Sequence, residues 1–289
     1  MKTIVVAAET FSPNIGDQLI FTCLSHVLQQ IEPGLKILPL DLSHHVQPDG
    51  TIGSGDEVPL YKRLARFGEE HLGAPYALLN ACLQWLRDRR AMPSRKALLI
   101  EADLLLIGGG QLLMDNHLGF PVKLLNLTRL AQQMGVPYHL VSCGVGSQWS
   151  PPGRYLFDRV VDNASGVSVR DQFSIQRLQE ELFLAVRLCP DPALWAAEVF
   201  PRSAIKPSEP FVGICPMNPQ DFNRSLSRQV KISPANYHHW WSTVLNAFEE
   251  RRIQWRLFTN GVPQDLRFGQ ELLHACQLPE EKYLLPPAN

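Results

Sequence analysis

A short apolar run that ends in three consecutive glycines constrains the fold more than any other feature of the sequence. Leu104 to Ile107 follow Asp103, and Gly108, Gly109 and Gly110 come directly after them. A short apolar run closed by glycine is typical of a strand buried on both faces of a parallel sheet. Glycines at its carboxyl end let backbone amides approach a phosphate, a carboxylate or a sugar. One glycine would satisfy a tight turn, so three in a row favour a binding site.

Apolar runs alternate with helical patterns along the first part of the chain. Strands are predicted at residues 3–8, 35–40, 137–143 and 166–169, with amphipathic helices between them. This alternation indicates an α/β fold with a parallel sheet.

Composition shifts suggest two domains. We predict a first domain at residues 1–200 with an inserted helical segment at about 43–96, whose basic residues are typical of a solvated helix pair. Three prolines without periodicity indicate a linker at 201–210. Residues 211–289 then form a second, partial α/β domain.

Charge and hydropathy exclude several classes of function. The 289 residues include 27 Lys and Arg against 28 Asp and Glu, so no basic surplus favours nucleic acid. The N-terminal apolar run stops at Glu9, and no run is long enough to span a bilayer, so we expect a cytoplasmic protein. The six cysteines lack metal-ligand spacing and are predicted to be reduced core thiols.

The loop after the first strand contains Asn14, Gly16 and Asp17. Asp17 is placed either to cap the following helix or to take part in chemistry, and both interpretations stay open. The loop matches neither the dinucleotide fingerprint nor the P-loop, so NAD binding and ATP hydrolysis are disfavoured.

Two later strand ends also carry candidate binding residues. Gly144 and Gly146 form a second glycine turn, and Arg170 follows the next strand. A guanidinium at this position can bind a carboxylate or phosphate with two parallel hydrogen bonds. The alternative is a structural ion pair with Asp171 or Asp191.

Titratable residues near the strand ends are candidates for proton transfer. Asp115 and His117 follow the triple glycine closely, and His44 follows the second predicted strand. An exposed loop would account for Asp115 and His117 equally well. No cluster of residues has the spacing of a metal site.

Taken together, these motifs resemble the polysaccharide pyruvyl transferase family. The resemblance rests on five separated segments: Asn14-Ile15-Gly16-Asp17, Asp103 to Gly110, Gly144-Val145-Gly146, Val167 to Asp171 with Ser174, and Pro190-Asp191-Pro192-Ala193. It implies two Rossmann-like domains similar to the two-domain (GT-B-like) glycosyltransferases. It also implies transfer of the pyruvyl group of phosphoenolpyruvate to a pair of sugar hydroxyls, giving a ketal in cell-surface or exopolysaccharide synthesis.

The resemblance has further consequences for ligands and residues. It implies no metal or nucleotide cofactor, phosphoenolpyruvate as the donor, and a lipid-linked or nucleotide-linked saccharide as the acceptor, through which the protein would associate peripherally with a membrane. The expected catalytic residues are Asp17, Asp115 and His117. The expected substrate-binding residues are Asn14, Gly16, Gly108, Gly109, Gly110, Gly144, Gly146 and Arg170.

One departure from the family pattern leaves alternatives open. Family members carry a late Ser-x-Arg-x-His type element that this chain lacks, so we expect an incomplete second domain. A nucleotide-sugar-dependent glycosyltransferase would share the fold and bind a nucleoside diphosphate. A non-catalytic sugar-binding protein of the same fold would show no turnover.

Overall fold

The structure is a computed structural model that describes residues 2–43, 74–115, 118–200, 209–225 and 231–285. The chain forms two compact units: Met1–Ser12 with Asp17–Phe200, and Pro13–Gly16 with Pro201–Asn289. A parallel sheet of six strands flanked by helices forms the first unit, so the α/β class is confirmed.

Six strands build the first unit: β1 (Thr3–Ala8), β2 (Lys36–Asp41), β3 (Leu104–Gly108), β4 (Tyr138–Cys143), β5 (Gly166–Val169) and β6 (Arg187–Leu188). All neighbouring strands are parallel, and their order is β2-β1-β3-β4-β5-β6. The chain first moves from β1 to β2 at one edge and then crosses to β3 on the other side of β1. Such a reversal of strand order leaves a crevice at the carboxyl ends of β1 and β3, where ligands of open α/β sheets bind.

In the described part of this unit the helices are α1 (Ile15–Ile31), α2 (Ala74–Ile100), α3 (Gly119–Gln133), α4 (Pro151–Asp162), α5 (Gln172–Leu182) and the short α6 (Ala196–Val199), which follows a 3₁₀ turn at Pro192–Trp195. Side chains define two of the starts. Ser150 accepts the Gly153 N–H before α4, and Asp171 accepts the Ser174 N–H before α5. Each satisfies a backbone donor that the first helical turn cannot pair internally.

Both faces of the sheet are covered, which explains why its strands are almost continuously apolar. On one face, Leu105 and Ile107 of β3 pack with Leu124 of α3 in the main core. On the other face, Leu106 packs with Leu24 of α1. The central strands are therefore buried from both sides and hold the strand ends firmly in place.

The inserted segment differs from its prediction. A pair of helices was expected, but residues 44–73, including His44, lie outside the described part of the chain. The described part is one helix, α2, which continues through Ile100, beyond the predicted limit at 96. Its apolar residues at helical spacing continue to Leu99, which is buried, so the helix ends only where β3 approaches.

The second unit contains β7 (Val212–Ile214), β8 (Trp255–Leu257), α7 (Pro219–Ser225), α8 (Pro234–Glu250), α9 (Pro263–Ala275) and α10 (Glu280–Tyr283). β7 and β8 are parallel. Leu284 pairs with Leu257 of β8 only through a single parallel bridge and does not form a strand. The reason is packing: Tyr283 ends a helical turn and stacks on Trp255, with ring centroids 4.4 Å apart.

The sequence predicted neither a membrane-spanning segment nor a disulfide. Across the described residues, no helix is long and apolar enough to cross a membrane.

All six cysteines are free, as expected, but only Cys23 and Cys143 are buried, whereas Cys82 and Cys215 are exposed. The prediction of core thiols is therefore wrong for the exposed pair, because an apolar sequence neighbourhood does not by itself bury a side chain.

Candidate active site

A pocket of about 220 Å³ lies at the carboxyl ends of β1 and β3. Its walls include residues that directly follow these strands and residues of α1 and α3, among them Glu9, Asp17, Ile20, Gly110, Gln111 and Phe120. This is the crevice where open α/β sheets bind ligands. Sites for drug-sized ligands measure about 300–1,000 Å³, so this pocket suits a compact ligand such as one sugar ring or a small organic acid.

The first two of the three glycines, Gly108 at the end of β3 and Gly109 after it, allow close packing. Gly109 has a φ of +74°, and a Cβ there would overlap the Cγ2 methyl of Ile20 in α1. A Cβ on Gly108 would lie 2.5 Å from the carbonyl oxygen of Val141 in β4. These glycines therefore bring β3 against α1 and β4, which is a structural role that the sequence alone did not reveal.

Asp17 lies on the pocket wall beside the third glycine. A Cβ on Gly110 would be 3.8 Å from Asp17 Oδ1. Asp17 occupies the first turn of α1 and is not its N-cap residue, since α1 begins at Ile15. The prediction that Asp17 is the N-cap residue is therefore wrong, and its carboxylate lies in the first turn of α1 beside the third glycine.

Asn14 and Gly16 belong to the second compact unit. Asn14 Oδ1 accepts the Gly16 N–H at 3.0 Å, so Asn14 provides the capping interaction before α1. Ile15 donates its N–H to the carbonyl oxygen of Asn260 at 2.7 Å in the same unit.

The two glycine turns are joined by backbone hydrogen bonds. Gly144 donates to the Gly110 carbonyl at 2.7 Å, and Leu113 donates to the Gly144 carbonyl at 3.1 Å. Gly146 donates to the Leu113 carbonyl at 2.9 Å. The turns therefore lie together, as their shared position at strand ends suggested, but the amides of Gly144 and Gly146 serve this ladder and are not available to a ligand.

Arg170 lies against the second glycine turn. A Cβ on Gly144 would be 2.8 Å from Arg170 Nε and 3.0 Å from Gln111 Cγ, so a side chain at this position would displace one of these two side chains. Arg170 donates to Asp191 Oδ2 at 3.2 Å and lies 3.5 Å from Asp171 Oδ2. Both predicted structural partners are present, while the Arg170 side chain remains 24% exposed.

The carboxylate of Asp171 is also fixed by α5. Burial tends to raise the pKa of Asp171, but the Ser174 amide and hydroxyl together with Arg170 outweigh this effect, so the net pKa lies below its usual value. Asp171 therefore stays ionised and keeps its side of the Arg170 pair.

Asp115 shapes the loop beyond the triple glycine. Its Oδ1 accepts the Leu118 N–H at 3.0 Å, and its Oδ2 accepts the Ser150 N–H at 2.6 Å. Both oxygens thus bind backbone amides, one of them at the start of α4. His117 lies outside the described residues.

Glu9, which directly follows β1, is a pocket residue that the sequence analysis did not select. Ser43 donates its hydroxyl proton to Glu9 Oε1 at 2.6 Å. Lys123 of α3 donates to Ser43 Oγ at 2.6 Å and lies 3.8 Å from Glu9 Oε1. A relay of three polar side chains therefore runs from α3 to the pocket wall.

Lys123 is almost fully buried, and its surroundings change its acidity. Burial lowers the pKa of Lys123, and Glu9, Asp88 and Asp41 partly offset this effect. Its ammonium also lies 4.7 Å from the centre of the Phe120 ring. An ammonium held in this way binds its carboxylate partner without the competition of bulk water.

A second buried pair supports Lys123 from α2. Asp88 is fully buried and accepts from Arg95 at 3.2 Å and from Asn126 at 3.0 Å. Arg95 is 2% exposed, and burial lowers its pKa while Asp88 raises it. The helix α2 thus brings a buried pair of opposite charges close enough to act on the pKa of Lys123.

The sequence contains a signal for Glu9 and for Lys123. Glu9 is the first charged residue after an apolar strand, where a parallel sheet places ligands. Lys123 interrupts an apolar helix face between Phe120 and Leu124, and a lysine among core positions implies a buried partner.

Metal binding has no candidate cluster here: among the described residues, no three His, Cys, Asp or Glu side chains are grouped in a way that could hold an ion.

Comparison with known proteins adds one finding. A family model described as polysaccharide pyruvyl transferase matches residues 14–266 of the 289-residue chain. The matched range includes Asp17, both glycine turns and Arg170, whereas Glu9 precedes it. No curated protein matches the chain.

Proposed function

The chain belongs to the polysaccharide pyruvyl transferase family, and we propose on this basis that it transfers the pyruvyl group of phosphoenolpyruvate to two hydroxyls of a saccharide. The product would be a cyclic ketal. We further propose that the protein acts in the cytoplasm in cell-surface or exopolysaccharide synthesis, and that its full architecture is of the two-domain GT-B-like type. The acceptor would be lipid-linked or nucleotide-linked.

The proposed reaction balances without a redox partner. The C2 carbon of phosphoenolpyruvate forms bonds to two sugar oxygens, and its bond to the phosphate oxygen breaks. Of the two hydroxyl protons, one goes to the methylene carbon, which becomes a methyl group, and the other leaves with phosphate. The site must therefore supply an acid–base group, a way to bind hydroxyls and a cation for the donor.

The observation that carries this proposal is the pairing of a carboxylate pocket with an adjacent guanidinium. Asp17 lies on the pocket wall, and Gln111 belongs to the same wall. Gln111 and Arg170 both lie against Gly144, so the guanidinium is next to the pocket. We assign proton transfer to Asp17 and binding of the donor anion to Arg170, while Asp115 holds the neighbouring loop through the amides of Leu118 and Ser150.

The test is an activity assay with chemical identification of the product. The full chain is incubated with phosphoenolpyruvate and a panel of lipid-linked and nucleotide-linked saccharides, and phosphate release and the mass of the saccharide are measured. We expect phosphate release only with an acceptor, together with the mass increase of a pyruvyl ketal.

Two outcomes would contradict the proposal. Release of a nucleoside diphosphate from a nucleotide sugar, without use of phosphoenolpyruvate, would identify a glycosyltransferase. Saccharide binding with no product from any donor would identify a non-catalytic binding protein.

A further inference from the structure

We propose that the pocket at the ends of β1 and β3 binds the saccharide acceptor and not the anionic donor, and that Glu9 accepts a hydrogen bond from an acceptor hydroxyl through Oε2. The inference rests on the proposed function for the identity of the acceptor. Glu9 precedes the residues that the family model matches, so its role is argued from the contacts of this chain alone.

The charge of the pocket favours hydroxyl groups over anions. Two carboxylates, Glu9 and Asp17, lie on its wall. The nearby cation, Lys123, is already hydrogen-bonded to Ser43 and close to Glu9. A ligand with a carboxylate and a phosphate would be repelled here, whereas a hydroxyl donates a charge-assisted hydrogen bond to a carboxylate.

The relay fixes which oxygen of Glu9 remains for a ligand. Ser43 has a single hydroxyl proton, and its oxygen already accepts from Lys123, so the proton must go to Glu9 Oε1. Lys123 also approaches Oε1. Within the described residues Oε2 accepts no hydrogen bond, although the side chain is 16% exposed and lines the pocket.

The relay also fixes the orientation of the carboxylate. Glu9 follows β1, and it is held by Ser43, which follows β2, and by Lys123 of α3, so each member is attached to the main sheet or its covering helix. A polar group locked by such supporting contacts loses little entropy on binding. The remaining walls include Ile20 and Phe120, and an apolar pocket with a few fixed polar groups is typical of sites for small molecules.

The donor anion has a separate place in this arrangement. Arg170 lies beyond Gln111, against Gly144, and not on the carboxylate wall. Acceptor hydroxyls held by Glu9 would then face a donor held by Arg170. Glu9 is thereby a binding residue for the acceptor, while Lys123 and Ser43 are positioning residues that act through it.

The experiment measures binding, so it does not depend on turnover. Methyl glycosides of common hexoses are tested against the full chain by saturation-transfer NMR, and their dissociation constants are obtained by titration. In Glu9→Gln we expect the affinity to fall by about tenfold to a hundredfold, as for loss of a hydrogen bond to a charged group. Glu198→Gln is the matched control, since Glu198 is an exposed glutamate outside the pocket, and its affinity should equal that of the unaltered protein.

Binding of phosphoenolpyruvate, measured by calorimetry on the same samples, separates the two ligands. We expect Glu9→Gln to leave this affinity within about twofold of the original value, because the charge it removes does not contact the donor. Loss of phosphoenolpyruvate affinity with unchanged glycoside affinity would overturn the assignment. Failure of every glycoside to bind the unaltered protein would overturn it as well.

A second pair of variants keeps the test decisive if Glu9→Gln does not fold. Glu9→Asp keeps the charge beside Lys123 but withdraws the outer carboxylate oxygen, so glycoside affinity should still fall. Ser43→Ala removes the hydroxyl that orients Glu9, and we expect its glycoside affinity to fall less than that of Glu9→Asp. Unchanged affinity in a folded Glu9→Asp protein would reject the role of Glu9. Glycoside binding through Glu9 without any pyruvyl transfer would reject the proposed function and leave the binding site standing.

Discussion

The Nε atom of Arg170 lies 2.8 Å from the point where a Cβ on Gly144 would be. A side chain at position 144 would therefore meet the guanidinium of a residue 26 positions later in the chain. Asp191 holds the other end of the guanidinium at 3.2 Å. Arg170 thus lies between the backbone of Gly144 and a carboxylate, and its side chain remains 24% exposed.

The first prediction concerns the charge of this guanidinium. Arg170→Ala should weaken phosphoenolpyruvate binding by about 1.5–3 kcal/mol, as for a charge-assisted hydrogen bond. Asp191→Asn keeps the oxygen that accepts the Ala193 N–H but removes a competing negative charge, so it should bind the donor at least as tightly as the unaltered protein. Calorimetry measures both affinities. If both variants lose stability and neither changes affinity, Arg170 serves only as a structural ion pair.

The second prediction separates two adjacent glycines. Gly109→Ala should destabilise the first unit by about 2–5 kcal/mol, because its Cβ overlaps Ile20 and its φ is positive. Gly110→Ala meets only Asp17 and Ile20 at 3.8–4.0 Å, so it should cost about 1–2 kcal/mol from its positive φ alone. Urea unfolding followed by circular dichroism measures the difference. Equal losses in the two variants would show that the contact with α1 does not dictate glycine at position 109.

The third prediction concerns the buried ion pair between Asp88 and Arg95. Asp88→Ala should cost about 3–5 kcal/mol of stability, because it leaves the Arg95 charge in an apolar interior. The double variant Asp88→Leu with Arg95→Met should lose less than the single variant, since no buried charge of the pair remains. A thermodynamic cycle that includes Arg95→Met measures the coupling. Additive losses would show that the two side chains do not stabilise each other.

The fourth prediction uses thiol reactivity. Burial raises the pKa of Cys143 to about 12, so at pH 8 its thiol remains protonated as well as covered. Cys82 is exposed. Because only the thiolate reacts with iodoacetamide, mass spectrometry at pH 8 should find Cys82 labelled and Cys143 unlabelled in the folded protein, and both labelled in urea. Early labelling of Cys143 would contradict its place in the core.

Strands buried on both faces could be predicted from the sequence with accurate limits, because a short continuous apolar run bounded by polar residues or glycine favours a strand over a helix. β1 matches its prediction at both ends. The predicted limits of β5 are also correct, although three of its four residues are only partly buried. β6 was not predicted, because Arg187 and Leu188 are both exposed and carry no apolar pattern. A strand that is held only by backbone pairing at a sheet edge cannot be predicted from the pattern of apolar residues.

The position of the candidate site in the sheet could be predicted from the sequence, but the contacts among its residues could not. Glycines at strand ends indicated the edge of the sheet where the pocket lies, since close approach of chains and binding of ligands both favour residues without a Cβ. Because glycine serves both purposes, the sequence did not show that Gly109 packs against Ile20 of α1. Glu9 and Lys123 lie far apart in sequence, and only the order of the strands brings them together.

The hydrogen-bonded ladder between the two glycine turns has a mechanical consequence. A shift of Gly110 would displace Gly144 through the hydrogen bond between them, and Gly144 is in contact with the Arg170 side chain. A ligand that displaces the wall of the pocket would therefore also move the guanidinium. Thermodynamic linkage makes such communication reciprocal, so whichever substrate arrives first would alter the affinity for the second by the same factor in either order of addition.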